Sequence, residues 1–399
     1  MSRRTTVCIA GGGPAGLMLG LLLARAGIDV TVLEKHDDFF RDFRGDTVHP
    51  STLNLIDALG LRARFEAIAH TPLRRLDVVV DGIRIHAIDF SSLPAPNRLI
   101  TLMPQWDLLE LLADEASALP SFHLLMGAEV EDVITRGGRI RGVTLASGEQ
   151  VAADLVVACD GRASTVREAA GLEPLASGVA TDVAWFRMPR PADPMPDTLG
   201  WISADGLVVT IPRPEYLQCA LLIPKGSFAQ VRADGIEPFR ARIARAVPRL
   251  APVADDLAAI DDVKLLSVQI DRLETWWRPG LLCIGDAAHA MSPVFGVGIN
   301  YAVQDAVASA RLLVPALQQQ DHHAVDRACA AVQRRREWPT AAMQAVQRVV
   351  HGRIASGQLP DLIANPPTRG QRAFLRYALP LLKPVLARLV GYGFRPERL

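Results

Sequence analysis

TVCIAGGGPAGLMLGLLLARAGIDVTVLEK, running from Thr6 to Lys35, decides how the rest of the chain is read. Thr6 to Ala10 is a β-branched, apolar run of the kind that forms a buried strand. It stops at Gly11-Gly12-Gly13-Pro14-Ala15-Gly16. A helical stretch follows to Arg25-Ala26-Gly27, then a second apolar run, Asp29 to Leu33, closed by Glu34. Strand, G-x-G-x-x-G, helix, strand and acid, in that order, make a dinucleotide-binding unit. Gly11 makes the turn, Gly13 lets the backbone approach a pyrophosphate, and Gly16 lets helix and strand pack. The helix N-terminus offers unpaired amides to the phosphate charge. Glu34 is placed to accept a hydrogen bond from a ribose hydroxyl of an adenosine. Glycine-rich turns alone are common, so the complete order carries the reading.

Two distant segments repeat the theme of an apolar strand ending at an aspartate beside a glycine. One is DLVVACDGRASTVR, from Asp154 to Arg167, with Asp160-Gly161 at its turn. The other is LLCIGDAAHAMSPVFGVGIN, from Leu281 to Asn300, with Gly285-Asp286. Taken alone, Asp-Gly after a strand is merely a good turn. A carboxylate at the end of a buried strand is costly unless it accepts hydrogen bonds. A helix is expected from near Gly298 through Tyr301 to about Leu317. His289 by itself reads as an ordinary core histidine and is assigned no chemistry.

Together, in this order and over most of the chain, the three segments resemble the class A flavoprotein aromatic hydroxylases, typified by para-hydroxybenzoate hydroxylase. The resemblance implies an α/β fold of two domains. A Rossmann-like FAD-binding domain would comprise residues 1–75, 100–180 and 272–345. An inserted antiparallel-sheet substrate domain would comprise 76–99 and 181–271, and 346–399 would form a C-terminal helical segment. FAD is the implied cofactor and NAD(P)H a transient co-substrate. Cofactor contacts are implied at Gly11, Gly13, Pro14, Ala15, Gly16, Glu34 and Lys35. Others are implied at Arg44 in FRGDTVHPSTL, Gln105 in MPQWDLLELL, Val130, Asp160 and Gly161. The third segment would add Gly285, Asp286, Pro293, Gly296, Gly298, Ile299 and Asn300.

Within that set the resemblance puts Asp286 on the ribityl chain and has Asp160 support both flavin and reductant handling. Pro293 would lie by the ring edge where oxygen reacts. The amides at the start of the helix near Gly298 would face a ring that is anionic when reduced, a favourable placement by about 0.3–2 kcal/mol. Asp46 and His49 are polar candidates near the chemistry, although a turn before the helix start at Pro50-Ser51 explains them equally well. DVAWFRMPR, GLVVTIPRP and EYLQCALLIPKG read as strands separated by Pro, Gly and charged turns, and Asp77 to Phe90 is expected to join their sheet. Trp185, Phe186, Trp201 and Tyr216 are the candidate pocket lining, against the commoner role of strand aromatics as plain core.

Composition narrows the partners. Lys plus Arg and Asp plus Glu both total 43, leaving no net charge to attract nucleic acid or an anionic membrane. Arg334-Arg335-Arg336 reads as a solvated helix face. Five scattered cysteines without ligand spacing argue against a disulfide framework or a metal site. The N-terminus lacks the apolar segment of a signal peptide, so a reducing cytoplasm is expected. No second G-x-G-x-x-G unit provides a separate nicotinamide domain. The Trp-x-Trp-x-Ile-Pro motif of halogenase relatives is missing, Trp276-Trp277-Arg278 not being that motif, and no thioredoxin-like C-terminal domain is expected. Ala373 to Arg398 is apolar but interrupted by Pro380 and Pro384, so it is expected to fold back on the FAD domain or make an oligomer contact rather than lie on a membrane.

The implied reaction is a single-component hydroxylation of an electron-rich, aromatic small molecule by O2 through a flavin C4a-hydroperoxide, in a monomer or homodimer. Two alternatives stay open at this point: a related FAD-dependent reductase of polyprenyl double bonds, and a non-enzymatic redox-responsive flavoprotein.

Overall fold

The computed structural model describes residues 3–40, 47–80, 82–193, 198–213, 215–355 and 379–399. Its first half runs β1 (Arg3–Ala10), α1 (Pro14–Arg25), β2 (Val30–Leu33), β3 (Thr47–Val48), α2 (Pro50–Ala58), α3 (Arg62–Glu66), β4 (Thr71–Leu73), β5 (Arg75–Val80), β6 (Ile83–Asp89), β7 (Ile100–Leu102), α4 (Gln105–Ser117), β8 (Phe122–Leu125), β9 (Val130–Arg136), β10 (Arg139–Leu145), β11 (Gln150–Ala158) and α5 (Thr165–Ala169). The second half adds β12 (Pro174–Ser177), β13 (Thr181–Pro189), β14 (Thr198–Ser203), β15 (Gly206–Pro212), β16 (Tyr216–Pro224), α6 (Phe228–Asp234), α7 (Ile236–Ala246), β17 (Lys264–Leu266), β18 (Ile270–Leu273), β19 (Trp277–Arg278), β20 (Leu281–Cys283), α8 (Gly298–Gln318), α9 (His322–Ala355) and α10 (Leu379–Tyr392).

An eight-stranded sheet carries the strands that end in the three motifs, in the order β19-β20-β11-β1-β2-β8, with β10 and β9 attached beyond β11. β1 lies parallel between β2 and β11, and β11 is parallel to β20. The central strands are apolar toward their carboxyl ends because both faces are covered there: α1, α4 and α8 pack on one, while a second cluster around Val143, Val156 and Trp276 fills the other. Register sets where the strands end. Ala10 pairs with Leu33 and with Ala158, and Ala158 pairs with Cys283. Four strands therefore end level with one another. The glycine loop, Glu34, Asp160 and Gly285-Asp286 all leave the same carboxyl edge, where open parallel sheets bind their ligands.

The antiparallel pair β12–β18 carries the chain out to a seven-stranded sheet and back. That sheet has the order β17-β13-β16-β15-β14-β5-β6, so the expected strands between 77 and 90 do join it. It departs from a purely antiparallel sheet at one junction, where β14 runs parallel to β5. The β5–β6 hairpin comes from the first half of the chain, so a distant connection, not a hairpin, sets its direction there. Successive residues face opposite ways. Ala184, Phe186 and Met188 point into a core beneath α7, whereas Val183 and Trp185 point to the other side, where Phe90, Ile100 and Leu102 pack.

α10 closes the cluster of Trp185 and Phe90: Ala387 and Val390 are fully buried in it, against β6, the turn at Phe90 and α2. The described part of the apolar C-terminal stretch thus folds back on the chain, on β6 and the turn at Phe90 as well as on α2. Among the described residues no helix is long and apolar enough to cross a membrane. The five cysteines are all free. Burial raises the thiols of Cys8 (pushed up to about 12), Cys219, Cys283 and Cys329, so none is a nucleophile at neutral pH. The arginine run corrects the sequence reading. Arg334 is exposed, but Arg336 has no accessible surface and is held by the buried Asp305. Its place on the inward stripe of α9 could not be told from charge alone.

Candidate flavin site

At the first motif the backbone leaves no choice of residue. Gly11 has φ +103°, and a Cβ there would lie 2.4 Å from the Cys159 carbonyl oxygen. A Cβ on Gly16 would lie 2.0 Å from the Gly11 carbonyl oxygen. Gly13, which caps α1, has no atom within 4 Å of an added Cβ, so the face toward a pyrophosphate is open. No acidic residue sits in the first turn of α1 to oppose an anion. Glu34 accepts the Gly12 N–H at 2.9 Å and the His36 N–H at 3.1 Å, which fixes its carboxylate beside the loop. Lys35 is exposed. Val130 packs in the core behind Leu33.

The second motif is braced internally. Asp160 accepts from Ser164 Oγ and from the Val166 N–H, the latter at 3.1 Å, while Ser164 caps α5 by accepting the Arg167 N–H at 3.0 Å. Burial pushes the Asp160 carboxyl up, with these bonds opposing it. Its observed work is to hold the turn that presents Gly161, itself at φ +87° with open space above. The buried Arg167 ties this turn to the third motif by donating to the Ala287 carbonyl at 3.1 Å and the Arg162 carbonyl at 2.7 Å. Arg162 Nε in turn meets Asp286 at 3.0 Å, with both side chains about a third exposed. Sequence reasoning placed Arg162 and Arg167 within the second motif without foreseeing that they bridge to the third.

The third motif forms a rim. Pro293 to Gly296 and Gly298 are half-buried, and α8 begins at Gly298, where an added Cβ would meet nothing within 4 Å. Gly296 has φ +63°, and a Cβ there would lie 2.7 Å from Thr47 Oγ1. α9 supports the rim from behind: Gln347 donates to the Ser292 and Val294 carbonyls, each at 3.0 Å, and accepts the Ser292 N–H at 3.1 Å. Ile299 and Asn300 lie buried in the first turn of α8. Asn300 Oδ1 accepts from the hydroxyls of Ser51 and Thr52, so its Nδ2 must point away from them. That Nδ2 is buried with no partner among the described residues. An orphan donor of this kind costs about 1–3 kcal/mol, and a cofactor carbonyl would satisfy it.

His49 is fully buried one residue before α2. Burial lowers its pKa to about 4, so the ring is neutral, and Nε2 donates to the Gly296 carbonyl at 3.0 Å. It holds the rim from within. A folded-state pKa below the ordinary value means that the unfolded chain takes up the proton first. The stability present above about pH 6.5 is therefore lost as pH falls toward 4, by up to about 3 kcal/mol. Thermal midpoints of the wild type and His49→Gln at pH 7.5 and 5 will show this: the variant should lose less on acidification. Equal losses would contradict the assignment. Arg44 and Asp46 lie outside the described residues. Gln105 is half-buried at the first position of α4.

The two aromatic pairs separate. Trp185 shares a cluster with Phe295 of the rim, and Tyr216 lies on the same sheet face, beneath the Arg187 guanidinium at 5.0 Å. Phe186 packs edge-on against Phe239 of α7, with ring centroids 5.2 Å apart, and Trp201 donates to Thr210 Oγ1 in the same core. Those two belong to the far side of the sheet, a correction to the expected lining that follows from strand alternation. The near face adds polar residues not anticipated: Arg213 donates to Gln218 Oε1 at 3.2 Å, both buried. Asp107, in the first turn of α4, is raised by burial and lowered in part by the field of Arg213.

The FAD binding domain family matches residues 4–346, most of the chain. The chain belongs to the FAD-dependent monooxygenase family. It is 33% identical over 407 residues to 6-methylpretetramide 4-monooxygenase of Streptomyces rimosus, covering 98% of this chain and 92% of that one. It is 26% identical to dialkyldecalin synthase of Streptomyces rugosporus, covering 90% and 77%. The crystal structure of PqsL, a probable FAD-dependent monooxygenase from Pseudomonas aeruginosa, superposes with a TM-score of 0.77 at 24% identity, covering 90% of this chain and 99% of that one. The glycine cradle, the open face at Gly13 and the orphan donor of Asn300 fit FAD as the cofactor of this flavin monooxygenase.

Proposed function

We propose that this enzyme hydroxylates a fused-ring or otherwise extended aromatic small molecule, consuming NAD(P)H and O2 and releasing water and NAD(P)+. The observation that carries this reading is Phe295 of the rim packing in the cluster of Trp185, on the sheet face that also bears Tyr216 and the buried Arg213–Gln218 pair. Aromatic faces grip a flat ring, and the guanidinium favours a phenolate or an enolised oxygen on it. The similarity to a 6-methylpretetramide 4-monooxygenase supports starting with polycyclic phenols. Bound FAD supplies the redox chemistry and the activation of oxygen.

The chain's own residues bind, orient and exclude water. The glycine loop and the N-terminus of α1 take the pyrophosphate, Glu34 the adenosine ribose, and Asp286 the ribityl hydroxyls. Amides at the start of α8 would face the ring and favour its anionic reduced form. His49 and Gln347 brace the rim at Val294–Gly296, which would help to keep water from the reacting ring.

Screening polycyclic phenols for substrate-stimulated NAD(P)H oxidation coupled to a product with one added oxygen atom tests the reading. Trp185→Ala should raise KM about tenfold, because an aromatic contact of this kind is worth up to about 1.5 kcal/mol. Phe186→Leu should lower the thermal midpoint and leave KM within about twofold. The reverse pattern would place the substrate elsewhere.

A further inference from the structure

Behind Gly285-Asp286 lies a chain of buried charge that ends near the C-terminus. Asp305, in the middle of α8, has no accessible surface. Its Oδ2 accepts the Gly285 N–H at 3.1 Å and meets His289 Nε2 at 2.5 Å, and its Oδ1 accepts from Arg336 Nε at 2.8 Å. Arg336, equally buried, donates from Nη1 to the Arg395 carbonyl at 3.2 Å and lies 3.6 Å from Glu397. The Glu397 carboxylate is itself inaccessible and is held by Arg335 at 2.6 Å and Arg311 at 2.9 Å. His289, read from sequence as an ordinary core histidine, is one link of this network.

The segment leading to Glu397 lies along the opening turns of α8. Gln304 donates to the Tyr392 carbonyl at 3.0 Å, and the Phe394 N–H donates to the Tyr301 hydroxyl at 3.3 Å. Phe394 also packs edge-on against Trp338, with ring centroids 5.6 Å apart. Residues 301, 304 and 305 sit one to two turns beyond Gly298–Asn300, so one helix carries both the flavin-facing amides and this anchor. Gly285 has φ +58°, and an added Cβ would lie 3.2 Å from Ala15 of α1. Its turn is thus wedged between α1 and α8, and the bond to Asp305 sets the direction of its amide.

We propose that residues 392–397 act as a strap holding the Gly285-Asp286 turn in its flavin-binding geometry, with Glu397 and Arg336 as positioning residues. Arg336 cannot reach solvent, so without Glu397 its guanidinium keeps, among the described residues, one carboxylate, Asp305, the Arg395 carbonyl and the face of the Tyr301 ring at 5.7 Å. The freedom it gains passes through Asp305 to the Gly285 amide. This inference rests on the assignment of FAD to that turn.

The test compares Glu397→Gln with Arg311→Gln, which removes the ion pair of an exposed arginine to the same carboxylate, leaves Arg335 holding it, and has no direct contact with Asp305 or Arg336. Amide exchange at Gly285 is measured in the FAD-free full-length chain, and FAD affinity by quenching of flavin fluorescence. Glu397→Gln should speed Gly285 exchange about tenfold and weaken FAD about fivefold, with Arg311→Gln within about twofold on both. Tyr301→Phe, which removes only the anchor to Phe394, should move both readouts the same way by about twofold to threefold, and it stands in if Glu397→Gln does not fold. Equal effects in the Glu397 and Arg311 variants, or unchanged Gly285 exchange without Glu397, would overturn the strap. The exchange arm needs no flavin, so a wild type that fails to bind FAD would refute the cofactor assignment and still judge the strap.

Discussion

Gly16→Ala is expected to cost about 3 kcal/mol of stability and to abolish FAD retention. The new methyl would sit 2.0 Å from the Gly11 carbonyl oxygen and 3.2 Å from Ile9 Cγ2. Neither neighbour can yield, since one is backbone of the loop and the other belongs to β1 at the centre of the sheet. Relief requires α1 to move off β1, which carries its N-terminal amides away from the pyrophosphate. Gly13→Ala separates the two consequences, because nothing lies within 4 Å of its added Cβ. That variant should keep the wild-type thermal midpoint without FAD and still bind FAD at least about tenfold more weakly, since its methyl would enter the open space proposed for the pyrophosphate. Unchanged FAD affinity in Gly13→Ala would show that the dinucleotide runs elsewhere.

Asp286→Ala should weaken FAD binding by about tenfold to a hundredfold, the loss of hydrogen bonds from ribityl hydroxyls to a charged acceptor at about 1.5–3 kcal/mol. The fold should survive, because Arg162, the partner it leaves, is 29% exposed and can turn to water. Titration of the FAD-free variant with flavin, followed by fluorescence quenching, measures the effect. Full FAD retention would remove Asp286 from the cofactor and leave it as the partner of Arg162 alone.

The positions of the motifs were legible because each depends on local chemistry. Glycine where φ is positive, an acid at the end of an apolar run and a helix start after Gly298 can all be read within about twenty residues. Parallel pairing then brings them to one edge. What supports them was not legible, because it comes from far along the chain: Gln347 behind Ser292, Arg336 behind Asp305, Asn300 between Ser51 and Thr52. Helical periodicity can mark Arg336 as facing inward only once the partner face is known, so a run of three arginines read as solvated. Trp185 and Phe186 show a different limit. Neighbours on a strand face opposite sides, so one of them had to leave the pocket, yet only the packing of α7 tells which. The parallel junction of β14 with β5 likewise depends on a connection that no local signal encodes.

Rapid mixing of the anaerobically reduced, FAD-loaded enzyme with oxygenated buffer, with and without polycyclic phenols, decides whether it hydroxylates them. A protected site predicts a transient species, with an absorbance of its own, before the oxidised flavin spectrum returns, and a product with one added oxygen when a phenol is accepted. Direct return to oxidised flavin in a single step, with every phenol recovered unchanged, would contradict a hydroxylase and leave a flavoprotein that uses the same fold for other work.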